Sequence, residues 1–76
     1  MPSLDKLKEI LQEQVGGSHY KDRFQIEPAE FILMNRLDFA TGSAIKYLMR
    51  HPFKNQKEDL LKAKHYIDMI IARDYE

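Results

Sequence analysis

Four cations, Lys46, Arg50, Lys54 and Lys57, fall within residues 42–57 (GSAIKYLMRHPFKNQK), and no carboxylate stands between Asp38 and Glu58. Residues four apart on a helix share a face, so Lys46 and Arg50 project together, with Tyr47 three before Arg50 and Ser43 three before Lys46. Asp59, Lys62 and Tyr66 share a face further along in the same way. If the RHPFKN turn folds the two stretches antiparallel, both polar faces could converge on one cleft, and the turn adds Lys54. Two cations held about 4 Å apart repel by roughly 4 kcal/mol at an effective dielectric of 20, so such a cluster invites a phosphate or a carboxylate. A solvent-facing guanidinium at Arg50 would favour the bidentate geometry of a phosphate. The plainer reading stays open beside this one. Cations near a helix C-terminus complement its dipole for about 0.3–1 kcal/mol each, and Asp59 with Lys62 could be a surface pair worth under about 1 kcal/mol.

Other stretches carry less chemistry. In GGSHY the two glycines ahead of Ser18 and His19 could form a backbone nest for an anion, or only terminate the first helix. ATGSAIK lacks the loop length and the Lys-Ser ending of a phosphate-binding P-loop. His19, His51 and His65 sit on three separate elements with no ligand spacing, so no metal site of the protein's own is expected. Glu27 and Glu30 in EPAE have the form of the carboxylate pair of all-α nucleoside triphosphate pyrophosphohydrolases. The second acidic pair is missing, since Glu58 is followed three residues later by Leu61, so both are read as first-turn dipole partners.

The elements that must position these residues are helical. SLDKLKEILQEQVGG carries Leu4, Leu7, Ile10 and Leu11 at helical spacing behind a Ser3 cap. GSHYKDRFQIEP reads as an ordered loop. Pro28 opens a short helix, PAEFILMNRLD, that ends near Asn35 to Asp38, two residues that tolerate positive φ. Thr41 or Ser43 caps a third helix, SAIKYLMR, which stops before Pro52. Asn55 with Glu58 reads as a capping box that opens the longest helix, QKEDLLKAKHYIDMIIARDY. The expected architecture is all-α: one small four-helix domain over residues 1–76, with an amphipathic N-terminal helix over 1–15 as an oligomerisation arm and a binding region over 16–76.

Composition bounds the partners. The chain of 76 residues has 12 Lys and Arg against 12 Asp and Glu, and no cysteine. Zero net charge argues against a duplex-coating protein, because sequence-independent binding rests on surplus cations. A chain this short buries only about 60% of its unfolded surface, and with no disulfide available the expected support is a homo-oligomer. No apolar run approaches the roughly 18 residues that span a bilayer, and the N-terminus lacks a signal-peptide layout, so a cytoplasmic protein with no membrane partner is expected.

GGSHYKD, IEPAEFI, AIKYLMRHPFKN and EDLLKAKHYIDMII resemble, in order and spacing, a family of small bacteriophage proteins whose best-characterised member is a nucleotide kinase without a Walker motif. The resemblance runs from Val15 to Ile71. It implies a nucleotide or other phosphorylated small molecule as ligand, Mg2+ accompanying it, and a place in the host cytoplasm. Matched residue by residue, it implies nucleotide-binding roles for Ser18, His19, Tyr20, Tyr47, Lys54, Lys62 and Tyr66. It implies catalytic roles for Lys46, Arg50 and Asp59.

Three functions are therefore expected to compete. In a deoxynucleoside monophosphate kinase, Lys46, Arg50 and Lys62 neutralise phosphates, Lys54 reaches a second phosphate and Asp59 orients a cation or metal. Tyr20 or Tyr66 flanks the base, and His19 donates to a phosphate oxygen or moves a proton. A sequestering protein that binds a nucleotide against host defence signalling needs the same site without turnover. A host-protein interaction module needs neither and uses the first helix.

Overall fold

The structure, a computed structural model, describes residues 4–12 and 24–76. Those residues form four α-helices and one 3-10 turn, with no strand among them: α1 (Leu4–Gln12), α2 (Pro28–Met34), α3 (Phe39–Arg50), the turn His51–Phe53, and α4 (Lys57–Tyr75). The fold is all-α, as the helical spacing requires. Contacts divide the chain into two compact units, residues 1–36 and residues 37–76.

In the first unit α1 packs on α2. Pro28 is buried at the first position of α2, where its missing N–H costs nothing and its fixed φ suits the helix. The helix ends at the near edge of the expected range, at Met34 with Asn35 as its C-cap. Asn35 turns its side chain back to donate from Nδ2 to the Phe31 carbonyl at 2.9 Å, and Arg36 adopts the left-handed conformation with φ 54°. The positive φ thus falls on neither Asn35 nor Asp38.

The second unit is an antiparallel helical hairpin of α3 and α4. Its first helix starts before either expected cap. Asp38 accepts from the backbone N–H groups of Ala40 at 3.2 Å and Thr41 at 3.4 Å, and the Thr41 hydroxyl donates to its other oxygen at 2.7 Å. Asp38 is the cap; Thr41 supports it from within the first turn, and Ser43 lies inside the helix. The helix stops where Pro52 forbids its continuation, and the chain tightens into the 3-10 turn.

The expected capping box of α4 is not formed. Gln56 precedes the helix with φ 50° and ψ −113° and no side-chain cap. Its N–H is satisfied backwards, donating to the His51 carbonyl at 3.0 Å. The residue that stabilises the helix start is Asp59, one place beyond Glu58, which accepts from the Asn55 N–H and from Asn55 Nδ2, each at 3.3 Å. The Asp59 carboxylate therefore ties the turn to the first turn of α4 and also suits the helix dipole.

Along α4, Asp59, Ala63, Tyr66, Ile70 and Arg73 recur at alternating spacings of four and three, which is one continuous face. That face packs on α3. Ala63 and Ala44 are the buried apolar side chains of the hairpin, and Gly42 is buried with them, so small residues let the two backbones approach. At one end Arg50 of α3 meets Asp59 of α4. At the other, Arg73 of α4 donates from Nη1 to Asp38 of α3 at 2.9 Å while its other nitrogens hold Asp74 at 2.7 Å. Two arginine–aspartate clasps, one at each end, fix the antiparallel register.

Candidate functional site

The mid-hairpin surface is built around two tyrosines. Tyr47 of α3 and Tyr66 of α4 stack nearly parallel, centroids 6.0 Å apart and planes 9° apart. Tyr66 is held from its other sides by the edge of Phe39, with centroids 5.6 Å apart, and by the ring of His65 at 6.2 Å. Aromatic pairs in such offset or edge-on arrangements add about 0.5–1.5 kcal/mol beyond the area they bury. The stack fixes the spacing of the two helices at this level.

Three cations surround the Tyr47 ring. Arg50 lies with Cζ 4.7 Å from the centroid, Lys46 with Nζ at 5.2 Å and Lys62 with Nζ at 5.3 Å. All fall within the range where the negative face of the ring attracts a cation. The antiparallel hairpin thus brings Lys46 and Arg50 of α3 to the same place as Lys62 of α4. Beside them opens a shallow cleft of about 380 Å³ lined by Tyr47, Glu58, Leu61, Lys62, His65 and Tyr66.

The three cations are not equivalent. Arg50 forms a bidentate clasp on Asp59, Nε to Oδ2 at 3.0 Å and Nη2 to Oδ1 at 3.1 Å. The Arg50 side chain is only 15% exposed and that of Asp59 not at all. Asp59 receives two donors from Arg50 and two from Asn55, which answers most of a carboxylate's capacity to accept. Donation from Arg50 is the main reason its pKa falls to about 2; burial opposes the shift and the two Asn55 donors reinforce it. Arg50 is therefore turned inward, against the expectation of a solvent-facing guanidinium, because a fully buried carboxylate needs a partner more than the surface needs a free cation. Lys62 is 42% exposed and only 4.0 Å from Glu58 Oε1, a weak pair one helical turn away. Lys46 is exposed and has no carboxylate partner among the described residues. The positive charge open to an anion is carried by Lys46 and Lys62.

The remaining candidates are placed as follows. Lys54 stands exposed in the turn and does not line the cleft. Ser18, His19 and Tyr20 lie outside the described residues. Three cleft residues escaped the spacing argument: Glu58, Leu61 and His65. Their signal was present, because Glu58 is four before Lys62 and His65 three after it, on the flank of α4 that carries Lys62. Among the described residues no group of three or more His, Cys, Asp or Glu could hold a metal ion, and no helix is long and apolar enough to cross a membrane.

A family model described as "Protein of unknown function (DUF3310)" matches residues 15–68. No curated protein matches the chain, and no solved structure does.

Proposed function

Because the chain belongs to DUF3310, a family defined without an activity, the reading rests on the cleft itself, and we propose that this protein binds a nucleotide between α3 and α4. One observation carries the reading. Two unpaired or weakly paired ammonium groups, Lys46 and Lys62, stand about 5 Å from the face of a tyrosine whose stacked neighbour lines an open cleft of about 380 Å³. A flat heterocycle joined to a phosphate is the small-molecule class that uses both features, and the volume is in the range of about 300–1,000 Å³ that holds such ligands. The base lies against Tyr66, His65 and Leu61, and the phosphate between Lys46 and Lys62.

In this reading Arg50 and Asp59 act through position. Their clasp holds the guanidinium against Tyr47 and fixes the ring that the lysines surround. The resemblance to a bacteriophage nucleotide kinase supports phosphoryl transfer as a second reading, since a cation set from two helices is what neutralises transferring phosphates. The clasp favours binding without turnover, because Asp59 would have to leave both Arg50 and Asn55 to take a proton or a metal. Glu58, the only carboxylate among the described residues that line the cleft, would hold a Mg2+ that accompanies the nucleotide. The same resemblance supports a bacteriophage protein acting in the host cytoplasm.

Isothermal calorimetry against a panel of deoxynucleoside mono-, di- and triphosphates tests binding. Lys46→Ala and Lys62→Ala should each weaken the affinity by about tenfold or more, as loss of a charge-assisted contact does, with helicity unchanged. Silence across the whole panel refutes the reading and leaves a protein-interaction module. Incubation with ATP and each deoxynucleoside monophosphate, followed by chromatography, separates the two nucleotide readings: retained nucleotide with no new diphosphate supports sequestration, and turnover supports the kinase.

A further inference from the structure

Beside the face that α4 turns to α3 runs a second stripe: Leu60, Lys64, Ile67 and Ile71, spaced four, three and four. Leu60, Ile67 and Ile71 remain 41%, 39% and 42% exposed, although aliphatic side chains in such a continuous row normally mark a helix that packs on something. Lys64 and Asp68 sit along the same edge, both exposed. Neither has an ion pair or a hydrogen bond among the described residues.

We propose that a second copy of this chain docks on this stripe with its α4 antiparallel, so that the two hairpins form a four-helix assembly about a two-fold axis. The pattern selects that partner because it is self-complementary when reversed. Running the stripe against itself brings Leu60 opposite Ile71 of the second copy, and Ile67 opposite the aliphatic stem of its Lys64. The Lys64 ammonium then lies beside Asp68 of the second copy, and the same two contacts repeat across the axis. In a parallel pairing Lys64 would instead face Lys64 and repel it. A lysine at an inward position of such a seam costs stability and specifies orientation, as polar residues in helical seams do. The hairpin also has reason to need the contact, since its own buried apolar side chains are alanines. A single stripe is smaller than a standard interface, so the dissociation constant should be on the order of micromolar.

Sedimentation equilibrium of the full chain tests the assembly, and charge reversal tests its geometry. Lys64→Glu sets two carboxylates face to face at each junction between the copies, and Asp68→Lys sets two ammonium groups face to face there. Each variant alone should dimerise at least about tenfold more weakly than the native chain. Mixed together they should form a heterodimer of near-native affinity, because one junction then joins the two substituted side chains, again a carboxylate with an ammonium, and the other keeps Lys64 with Asp68. Contacts within one helix cannot produce recovery on mixing. Ile67→Ser, also at an exposed position, should weaken the dimer without loss of helicity by circular dichroism. A native chain that stays monomeric to 100 µM, on the order of a hundredfold above the expected constant, overturns the proposal. So do single variants that dimerise normally, or mixtures that associate no better than their parts. None of these readouts depends on a nucleotide.

Discussion

Replacing Arg50 by methionine keeps the aliphatic stem and removes the guanidinium, which isolates the clasp. The native group donates twice to a carboxylate with no exposed surface, at 3.0 and 3.1 Å, and lies 4.7 Å from the Tyr47 centroid. Without it the carboxylate retains only the two Asn55 contacts at 3.3 Å. Stranding one half of a buried ion pair shifts a folding equilibrium by a factor of about 10² to 10³. In a domain of this size that is a fall in melting temperature of about 15–30 °C. The sign of the pH response follows. With its main stabilising donor gone, burial is opposed only by the two Asn55 donors, so the Asp59 pKa rises from its native value of about 2 and the variant loses less of its remaining stability on acidification than the native chain does. Thermal melts followed by circular dichroism at pH 7 and pH 4 measure both effects. The double variant Arg50→Met with Asp59→Asn should recover part of the loss, because the neutral amide removes the stranded charge while its oxygen can still accept from Asn55. Two additive single losses, or an Arg50→Met protein that melts within about 3 °C of the native one, would refute the claim that the clasp holds the hairpin together.

Three further outcomes follow from the hairpin. Asp38, Asp59 and Asp74 all have pKa values lowered in the fold, Asp59 to about 2. Their stabilising contribution is complete above the unfolded pKa of about 3.9 and is lost as pH falls toward the folded values, so melting temperature should be flat from pH 7 to pH 5 and drop between about pH 4 and pH 2. Gln56→Gly should raise the melting temperature by a few degrees, about 0.5–1 kcal/mol, because φ 50° with ψ −113° suits glycine and strains any residue with a Cβ; an unchanged or lower temperature contradicts the strain. Ala63→Leu should destabilise by about 1–3 kcal/mol in urea titration, since Ala63 is 1% exposed between two closely spaced helices and no volume awaits the larger side chain.

The helices were legible because their apolar periods are clear and prolines mark two of their boundaries, Pro28 at the start of α2 and Pro52 after α3. The convergence of Lys46, Arg50 and Lys62 was legible for a related reason. Residues four apart share a helix face, and the RHPFKN turn that reverses the chain lets the polar faces of two helices meet. Less legible was which of several good capping residues wins. Asp38, Thr41 and Ser43 all favour helix starts, and the choice of Asp38 depends on Thr41 donating back to it and on Arg73 arriving from the far end of α4. That last contact spans 35 positions and leaves no local trace. The same holds for Asn55 and Gln56, where a capping-box pattern with Glu58 gave way to Asp59, one position further on, because Asp59 alone faces both the turn and α3.

The deepest difference between sequence and structure concerns Asp59 and Arg50, and its cause is general. A spacing argument assigns charged residues to a polar face, and Asp59 shares such a face with Lys62 and Tyr66. It shares another, at positions 59, 63, 66, 70 and 73, with Ala63 and Ile70, and it is this one that packs on α3. Tyr66 belongs to both, so the boundary between the cleft surface and the core runs through a single aromatic side chain. An arginine that seemed available to a phosphate is consequently committed to a carboxylate, and its charge reaches the cleft only as a cation beside the ring of Tyr47. On the proposed reading, ligand affinity and hairpin stability are coupled through Tyr47. On that reading, any substitution that loosens the clasp should weaken nucleotide binding even though neither Arg50 nor Asp59 lines the cleft, whereas Lys46→Ala and Lys62→Ala should weaken binding and lower the melting temperature of the free protein far less than Arg50→Met does. If Arg50→Met, assayed well below its own melting temperature, bound nucleotide with native affinity, the tyrosine pair would not be the element that positions the ligand.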